Sequence, residues 1–407
     1  MPPTHRPATI LERLARKPRR FVLGLHSGTS ADGVGWCVAE IHGCGETTRF
    51  RMPAHGNFPF PTALRHLVLA AAQAEEFPID DLCRLNLRLG ETFAAAAAKI
   101  ARAAGISPQR PDLIGFQGQT IRHRPSPRLR QASLPGENSS ATFQIGEAAV
   151  LAARTGLPVV YDFRMSDLAA GGDGAPLMPY LDYLLFRHPR RVRAVLNLGG
   201  IGNITIIPAD SGRNDITGFD TGPGNMIMDA LVRHFTNGRR AFDRDGRMAA
   251  RGRVDETLLP ALLAHPFFRR KPPKSTGREE FGNAFLRKIL TAGRQRKLSP
   301  EDMLATATRL TAESIRRAFT FSRRPADDLV ISGGGAFNRT LVAEIARVLP
   351  GTRVATSDTF GIPPMAKEPL LFAILANEYV FGIPSNLPRV TGARRETSLG
   401  KLALPGT

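Results

Sequence analysis

The sequence predicts an α/β protein built from two related lobes. Three observations carry this. At 407 residues the chain is longer than one hydrophobic core usually serves. A strand, a glycine-rich turn and a second strand occur near the N-terminus and again just after residue 191. A further β-prone run, 329–332, leads straight into Gly333-Gly334-Gly335.

The elements follow in order. Residues 1–20 are Arg- and Pro-rich with one acid, Glu12, and lack the apolar stretch of a secretory signal. They are expected as a loose basic arm. Residues 21–26 alternate as a strand, Ser27 to Gly33 breaks it, and 34–41 resumes. Residues 62–76 and 80–105 have helical patterning, with Gly105 as the expected C-cap. A short apolar strand at 112–116 ends in Gln117-Gly118-Gln119-Thr120, and the polar, Pro-rich stretch 124–138 reads as a loop. A strand at 157–163 leads into Arg164-Met165-Ser166-Asp167. In the second half, 194–198 and 204–207 flank Gly199-Gly200-Ile201-Gly202-Asn203, and 366–381 is an apolar helix expected to pack on the second lobe. The lobes are expected to span 21–190 and 191–407, each offering its glycine turn to one cleft.

Composition removes several functional classes. No run of 18 apolar residues exists to form a transmembrane helix. Three cysteines, Cys37, Cys44 and Cys83, with no CxxC pair among them, give neither a disulfide framework nor a structural zinc site and fit a reducing, cytoplasmic setting. The nine histidines contain no HExxH. A metal would therefore be held by oxygens and phosphate, which suits Mg²⁺. The net charge of +19 is spread along the chain, without a basic arm interleaved with aromatics or a nucleic-acid-binding signature. It reads as an Arg-rich surface rather than a nucleic-acid interface.

The glycine turns carry the chemistry. A backbone without side chains lets several N–H groups approach phosphate oxygens. In the first turn Ser27, Thr29 and Ser30 add hydroxyl donors, and Asp32 can orient a Mg²⁺-bound water. A plain hairpin turn explains one such loop equally well, but two loops and a triple glycine after a strand fit it poorly. Neither GxxxxGK[ST] nor GxGxxG occurs.

Several long motifs resemble those of the anhydro-N-acetylmuramic acid kinases. They are Gly28-Thr29-Ser30-Ala31-Asp32-Gly33, Asp167-Leu168-Ala169-Ala170-Gly171-Gly172, Asn197-Leu198-Gly199-Gly200-Ile201-Gly202-Asn203 and Phe219-Asp220-Thr221-Gly222-Pro223-Gly224-Asn225. Pro272-Pro273-Lys274-Ser275-Thr276-Gly277, Gly333-Gly334-Gly335-Ala336-Phe337-Asn338, Lys367-Glu368 and Asn386-Leu387-Pro388-Arg389-Val390-Thr391-Gly392 extend the resemblance to the C-terminal region. It implies the actin-like, sugar-kinase fold, with two RNase-H-like lobes around an ATP cleft. It also implies a reaction in which water opens a 1,6-anhydro bridge and O6 takes the γ-phosphate of ATP.

By that resemblance residues 28–35 (Gly28, Thr29, Ser30, Ala31, Asp32, Gly33, Val34 and Gly35) form the first phosphate region. Gly199, Gly200, Gly202, Asn203, Asp220, Gly222 and Gly224 form the second. Gly333, Gly334, Gly335 and Asn338 lie under the adenosine, and Gln119, Thr120, Arg164 and Glu368 contact the sugar. Asp167 is the implied general base, with Asp162 and Asp173 as nearby rivals. Gly35, Gln117, Asp173 and Met365 depart from the family pattern, which bears on the identity of the sugar more than on the fold. The partner is a small anhydrosugar, with levoglucosan and a non-catalytic binding role as alternatives, and a homodimer is left open.

Overall fold

The computed structural model describes residues 9–103, 111–124, 140–322 and 324–406. They divide into two compact units, 1–184 with 366–407, and 185–365. The first holds strands β1 (Arg20–Ser27), β2 (Gly33–His42), β3 (Arg49–Pro59), β4 (Leu113–Arg124), β5 (Ala141–Ile145) and β6 (Val159–Tyr161). The second holds β7 (Arg193–Leu198), β8 (Ile201–Ile207), β9 (Thr217–Pro223), β10 (Asp328–Ser332) and β11 (Arg353–Thr356). The chain then returns to the first unit for β12 (Lys401–Ala403).

The two sheets repeat one plan. In the first, β1, β2 and β3 form an antiparallel meander, while β4 and then β6 extend the other edge of β1 in parallel. In the second, β7, β8 and β9 form the meander, with β10 and β11 parallel beyond β7. A tight turn can join antiparallel neighbours, whereas the parallel ones need helical crossovers. Thr62–Gln73 and Ile79–Ala103 supply one, and Arg339–Val348 another. This duplicated order is that of RNase-H-like lobes, as the actin-like sugar-kinase fold requires. Leu23, Leu25, Phe93, Ile114 and Phe116 belong to the first core; Leu196, Leu231, Leu304, Leu310 and Leu329 belong to the second. Among the described residues no helix is long and apolar enough to cross a membrane.

The division of the chain corrects one expectation, the assignment of 366–407 to the second lobe. The helix Lys367–Val380 belongs to the first unit, not the second. Glycines in two neighbouring strands let it in. A Cβ at Gly24 would stand 1.9 Å from the Pro369 carbonyl oxygen, and one at Gly115 would stand 2.0 Å from that of Phe372. Lys367, itself buried, pairs with buried Asp182 at 2.7 Å, fixing the start of the helix. Burial of Leu370, Ile374 and Leu375 contributes roughly 1.5–3 kcal/mol each.

The N-terminal arm is also not loose where it is described. Thr9 forms a capping box with Glu12 at the head of the helix Ile10–Ala15. Arg20 is 1% exposed, and its guanidinium donates to Asn377 Oδ1 (2.7 Å), Lys17 O and Gly43 O while lying over the Phe381 ring.

Other boundaries moved for local reasons. The strand expected to stop at 116 continues to Arg124, because β5 pairs with its second half from Gln119 onward. The stretch after β6 turns at Asp162, which has φ 53°, into the helix Phe163–Ala169 rather than extending to 163. The expected cap Gly105 and the expected loop residues 125–138 lie outside the described residues.

Candidate active site

The first unit gathers one set of the expected residues. Across the turn from β1 to β2, Ala31 N–H donates to Gly28 O at 3.0 Å. Gln119 reaches in from β4, its Nε2 donating to Gly28 O and to Thr120 O, both at 3.1 Å. Gln119 Oε1 and Ser27 Oγ are buried without partners among the described residues, and their backbones are paired across β4 and β1. The Asp32 carboxylate is largely exposed and meets Arg65 at 3.1 Å. Thr29 and Ser30 are exposed, whereas the Val34 side chain belongs to the core and leaves only its backbone to a ligand.

The loop glycines separate into two groups. A Cβ at Gly33 would stand 2.1 Å from Phe58 O, at Gly202 2.7 Å from Thr221 Oγ1, and at Gly224 2.4 Å from Gly199 O. At Gly222 it would stand 2.7 Å from the Phe268 ring, at Gly333 2.6 Å from Asn197 Oδ1, and at Gly335 2.5 Å from Leu198 Cβ. Packing alone requires glycine at those positions. At Gly28, Gly199, Gly200 and Gly334 the nearest atom to a Cβ is 3.6 Å away or more. Neither packing nor a positive φ explains these four glycines, and a bare backbone with open space beside it fits a phosphate-bearing ligand.

Gly35 belongs to neither group. It lies opposite His26 in the β1–β2 register, and a Cβ there would stand 2.4 Å from His26 Nε2. The imidazole thus occupies the space beside Gly35, and its Nδ1 lies 3.3 Å from Glu368 Oε2. Burial holds the His26 pKa down, opposed by Glu368. Glu368 is here only because the C-terminal helix returns to the first unit.

Asp167 lies in the helix Phe163–Ala169 and is wholly buried. Its Oδ1 accepts from Asn386 Nδ2 (2.9 Å) and Thr391 Oγ1 (2.8 Å), and its Oδ2 accepts from Gly174 N–H (2.8 Å). A carboxylate has about four acceptor positions. Three are filled, and the fourth belongs to Oδ2. A Cβ at Gly172 would stand 2.2 Å from that atom, so the backbone packs against the carboxylate here and only glycine fits.

The rivals are engaged elsewhere. Asp162 pairs with Lys401 at 2.6 Å, and Asp173 accepts from Ser140 Oγ. Arg164 donates Nη1 to Gly174 O at 2.9 Å, and its buried Nε has no partner among the described residues. Burial lowers the Arg164 pKa, with Glu368 pulling it back. His123, bonded to Thr142 Oγ1 at 3.2 Å, is pushed down to about 4, first by burial and then by Arg164, against Asp173.

The second unit gathers the other set. Gly199 O and Gly200 O accept from Asn225 N–H and Gly224 N–H, both at 2.8 Å, which ties the β7–β8 turn to the end of β9. Asp220 on β9 lies opposite Asn203 on β8 and accepts from Thr276 N–H at 2.9 Å. Burial pushes its carboxyl up to about 7, the Thr276 bond and Lys274 opposing. Lys274 sits over the Phe267 and Phe321 rings at 4.6 and 5.0 Å and is lowered by burial to about 8. Asn338 caps the helix Arg339–Val348, its Oδ1 accepting from Leu341 N–H at 3.0 Å. No group of three or more metal-ligating side chains occurs among the described residues.

Sequence reasoning missed His26, Asn386 and Thr391 as contributors. The last two stand in a motif that the sequence singles out, without a role. The signal for His26 is the glycine opposite it.

Residues 20–405 match the family described as anhydro-N-acetylmuramic acid kinase. The chain is 44% identical over 396 residues to the anhydro-N-acetylmuramic acid kinase of Salinibacter ruber, covering 97% of this chain and 98% of the relative. It is 42% identical over 397 residues to that of Caldanaerobacter subterraneus, covering 97% and 99%. A solved structure, component A of the Acidaminococcus fermentans (R)-2-hydroxyglutaryl-CoA dehydratase, is similar at 10% identity and a TM-score of 0.43, covering 89% of this chain and 99% of that one. A likeness so distant says nothing about chemistry. The full-length match and the identity of the relatives place the protein in the anhydro-N-acetylmuramic acid kinase family.

Proposed function

We propose that this chain is an ATP-dependent kinase acting on 1,6-anhydro-N-acetylmuramic acid, with Asp167 as its general base. The observation that carries the assignment of the base is a buried carboxylate fixed by three donors, only one of them on Oδ2 among the described residues. In this reading a water donates its proton to Oδ2 while its oxygen bonds to C1 on the face opposite O6. The C1–O6 bond breaks, O6 takes the γ-phosphoryl group, and N-acetylmuramic acid 6-phosphate and ADP are formed with release of one proton. No second carboxylate is needed as an acid, because phosphoryl transfer captures O6.

Gly28, Gly199, Gly200 and Gly334 offer open backbone to the nucleotide. Mg²⁺ entering with ATP supplies neutralisation of phosphate charge. Ser27 Oγ and the exposed Asp32 are oxygen donors of the kind that would hold its water shell. Gln119, Thr120, Arg164 and Glu368 are assigned to the sugar. Consumption of ATP supports a cytoplasmic setting for the reaction.

The test is ADP release by purified protein with 1,6-anhydro-N-acetylmuramic acid, with levoglucosan and without sugar. The proposal expects release with the first alone, and the α anomer as the initial product by proton NMR. Release that ignores the sugar would remove the kinase reading. An initial β product would remove single inversion by water.

A further inference from the structure

The most informative feature outside the proposed catalytic group is a cavity of about 310 Å³ in the first unit, at the point where β4 changes partners. Residues 114–116 of β4 pair with β6, and residues from 119 onward pair with β5. Gln117 and Gly118 pair with neither, so the sheet opens between Tyr161 and Ile145. Gly118 turns the chain with φ +72°, and a Cβ there would stand 2.5 Å from Ile145 O. The helix Ile79–Ala103 closes the far side with Leu82, Cys83 and Asn86.

Gln117 faces this opening with nothing to hold. It is 4% exposed, yet neither its Nε2 nor its Oε1 has a partner among the described residues. A buried amide left unpaired on both sides is costly, and native interiors seldom keep one without a partner. Crevices at the carboxyl ends of parallel strands, where strand connections diverge, are where open sheets bind ligands.

Neither Asp167 nor any of its partners Gly174, Asn386 and Thr391 lines this cavity. Thr142 on β5 turns toward His123, which senses Arg164 and Asp173. Phe143 and Ile145 line the cavity together with Gln144, whose Nε2 donates to Thr142 Oγ1 at 2.7 Å. Gln119, two residues beyond Gln117, donates to Gly28 O, so an occupant would touch the strand that holds the phosphate turn.

The lining chooses the ligand. Gln117 presents a donor and an acceptor side by side, which matches a group with its own C=O and N–H. Leu82, Phe116 and Phe143 supply apolar walls, and Phe143 is 47% exposed at the rim. Glu147 and Asp162 are among the lining residues, whereas no Lys or Arg is among the described ones, which disfavours anions. We propose that this cavity is a second binding site, separate from the proposed catalytic group, for a small neutral amide bearing an apolar substituent.

Cys83 provides the readout. It lines the cavity and is exposed, whereas Cys37 is buried and Cys44 partly so. The probe is N-acetyl-L-leucine N-methylamide, with the corresponding diester, in which oxygen replaces both N–H groups, as its control. Maleimide labelling of Cys83, followed by peptide mass spectrometry, is expected to slow several-fold with the diamide and not with the diester. Gln117→Leu, which removes the orphaned amide, is expected to lose protection with an unchanged or higher Tm. Gln117→Glu, of nearly equal size but without the donor, serves if the leucine variant fails to fold, and is also expected to lose protection. Equal protection by the diester, or protection retained in a folded Gln117 variant, would overturn the proposal. Absence of protection by the diamide up to its solubility would overturn it too, leaving water as the partner of Gln117.

Discussion

Replacing Gly28 by alanine separates a glycine kept for a ligand from one kept for the fold. The new methyl has no atom nearer than 3.9 Å, and Gly28 does not have a positive φ. Removing glycine's freedom in the unfolded chain then stabilises by about 0.4–1 kcal/mol. The same methyl occupies open space beside the backbone that would cradle phosphate. Loss of one charge-assisted hydrogen bond costs about 1.5–3 kcal/mol, which corresponds to roughly ten- to hundredfold in ATP affinity. Gly24→Ala is the control. Its methyl would lie 1.9 Å from Pro369 O, so the C-terminal helix must shift, at about 1–3 kcal/mol or more. Thermal melts and ADP release titrated with ATP read both quantities. Gly28→Ala should melt no lower than wild type with a raised KM for ATP, and Gly24→Ala should melt lower. A Gly28→Ala enzyme with unchanged KM, or one clearly destabilised, would refute the reasoning.

Three further outcomes follow. His123, pushed down to about 4, binds a proton more weakly folded than unfolded. Its contribution is therefore present above the unfolded value near 6.5 and is lost as pH falls toward 4, by up to about 3 kcal/mol; His123→Gln should flatten that part of the pH dependence of Tm. Gly35→Ala forces the His26 ring off Glu368 and should destabilise by about 1–3 kcal/mol. Adding His26→Ala restores room, so urea melts of the two singles and the double should give a coupling of at least about 0.5 kcal/mol, and simple additivity would contradict the packing. Arg20→Met removes a buried guanidinium with three partners and strands Asn377 Oδ1 and Lys17 O, while Gly43 O keeps its bond from Asn377 Nδ2, so it should lower stability by about 2–4 kcal/mol in urea melts.

Much of this arrangement is legible in sequence because glycine punctuates strands. The β1–β2 and β7–β8 hairpins are visible as apolar runs broken by glycine, and their repetition signals two lobes. The third strands are not. In β3 (Arg49–Pro59) half-buried Phe50, Met52, Ala54 and Phe58 alternate with exposed Arg51, Pro53, His55 and Asn57, but Pro53 and Gly56, both unfavourable in strands, mask that alternation in the sequence. The helix Lys367–Val380 is buried nearly all round, so its pattern does not say which sheet it covers. That information sits far away, in Gly24 and Gly115, and reads there only as weakened strands. Asp167 is recognisable by its motif, but the groups orienting it, Asn386 and Thr391, lie 219 and 224 residues later. Local patterning has no means of joining positions so distant. The His26–Gly35 exchange is a cross-strand relation and appears only once the register is known.

The central claim is that Asp167 takes the proton from the attacking water. The most direct measurement is the single-turnover rate of Asp167→Asn, saturated with ATP and 1,6-anhydro-N-acetylmuramic acid, with both affinities determined by calorimetry. Asparagine keeps the size and can still accept from Asn386 and Thr391, but it cannot take the proton. The account predicts a rate lower by ~10² to 10⁴, with both affinities within a few-fold of wild type. Near wild-type turnover with intact binding would contradict it and pass the role to Asp162 or Asp173.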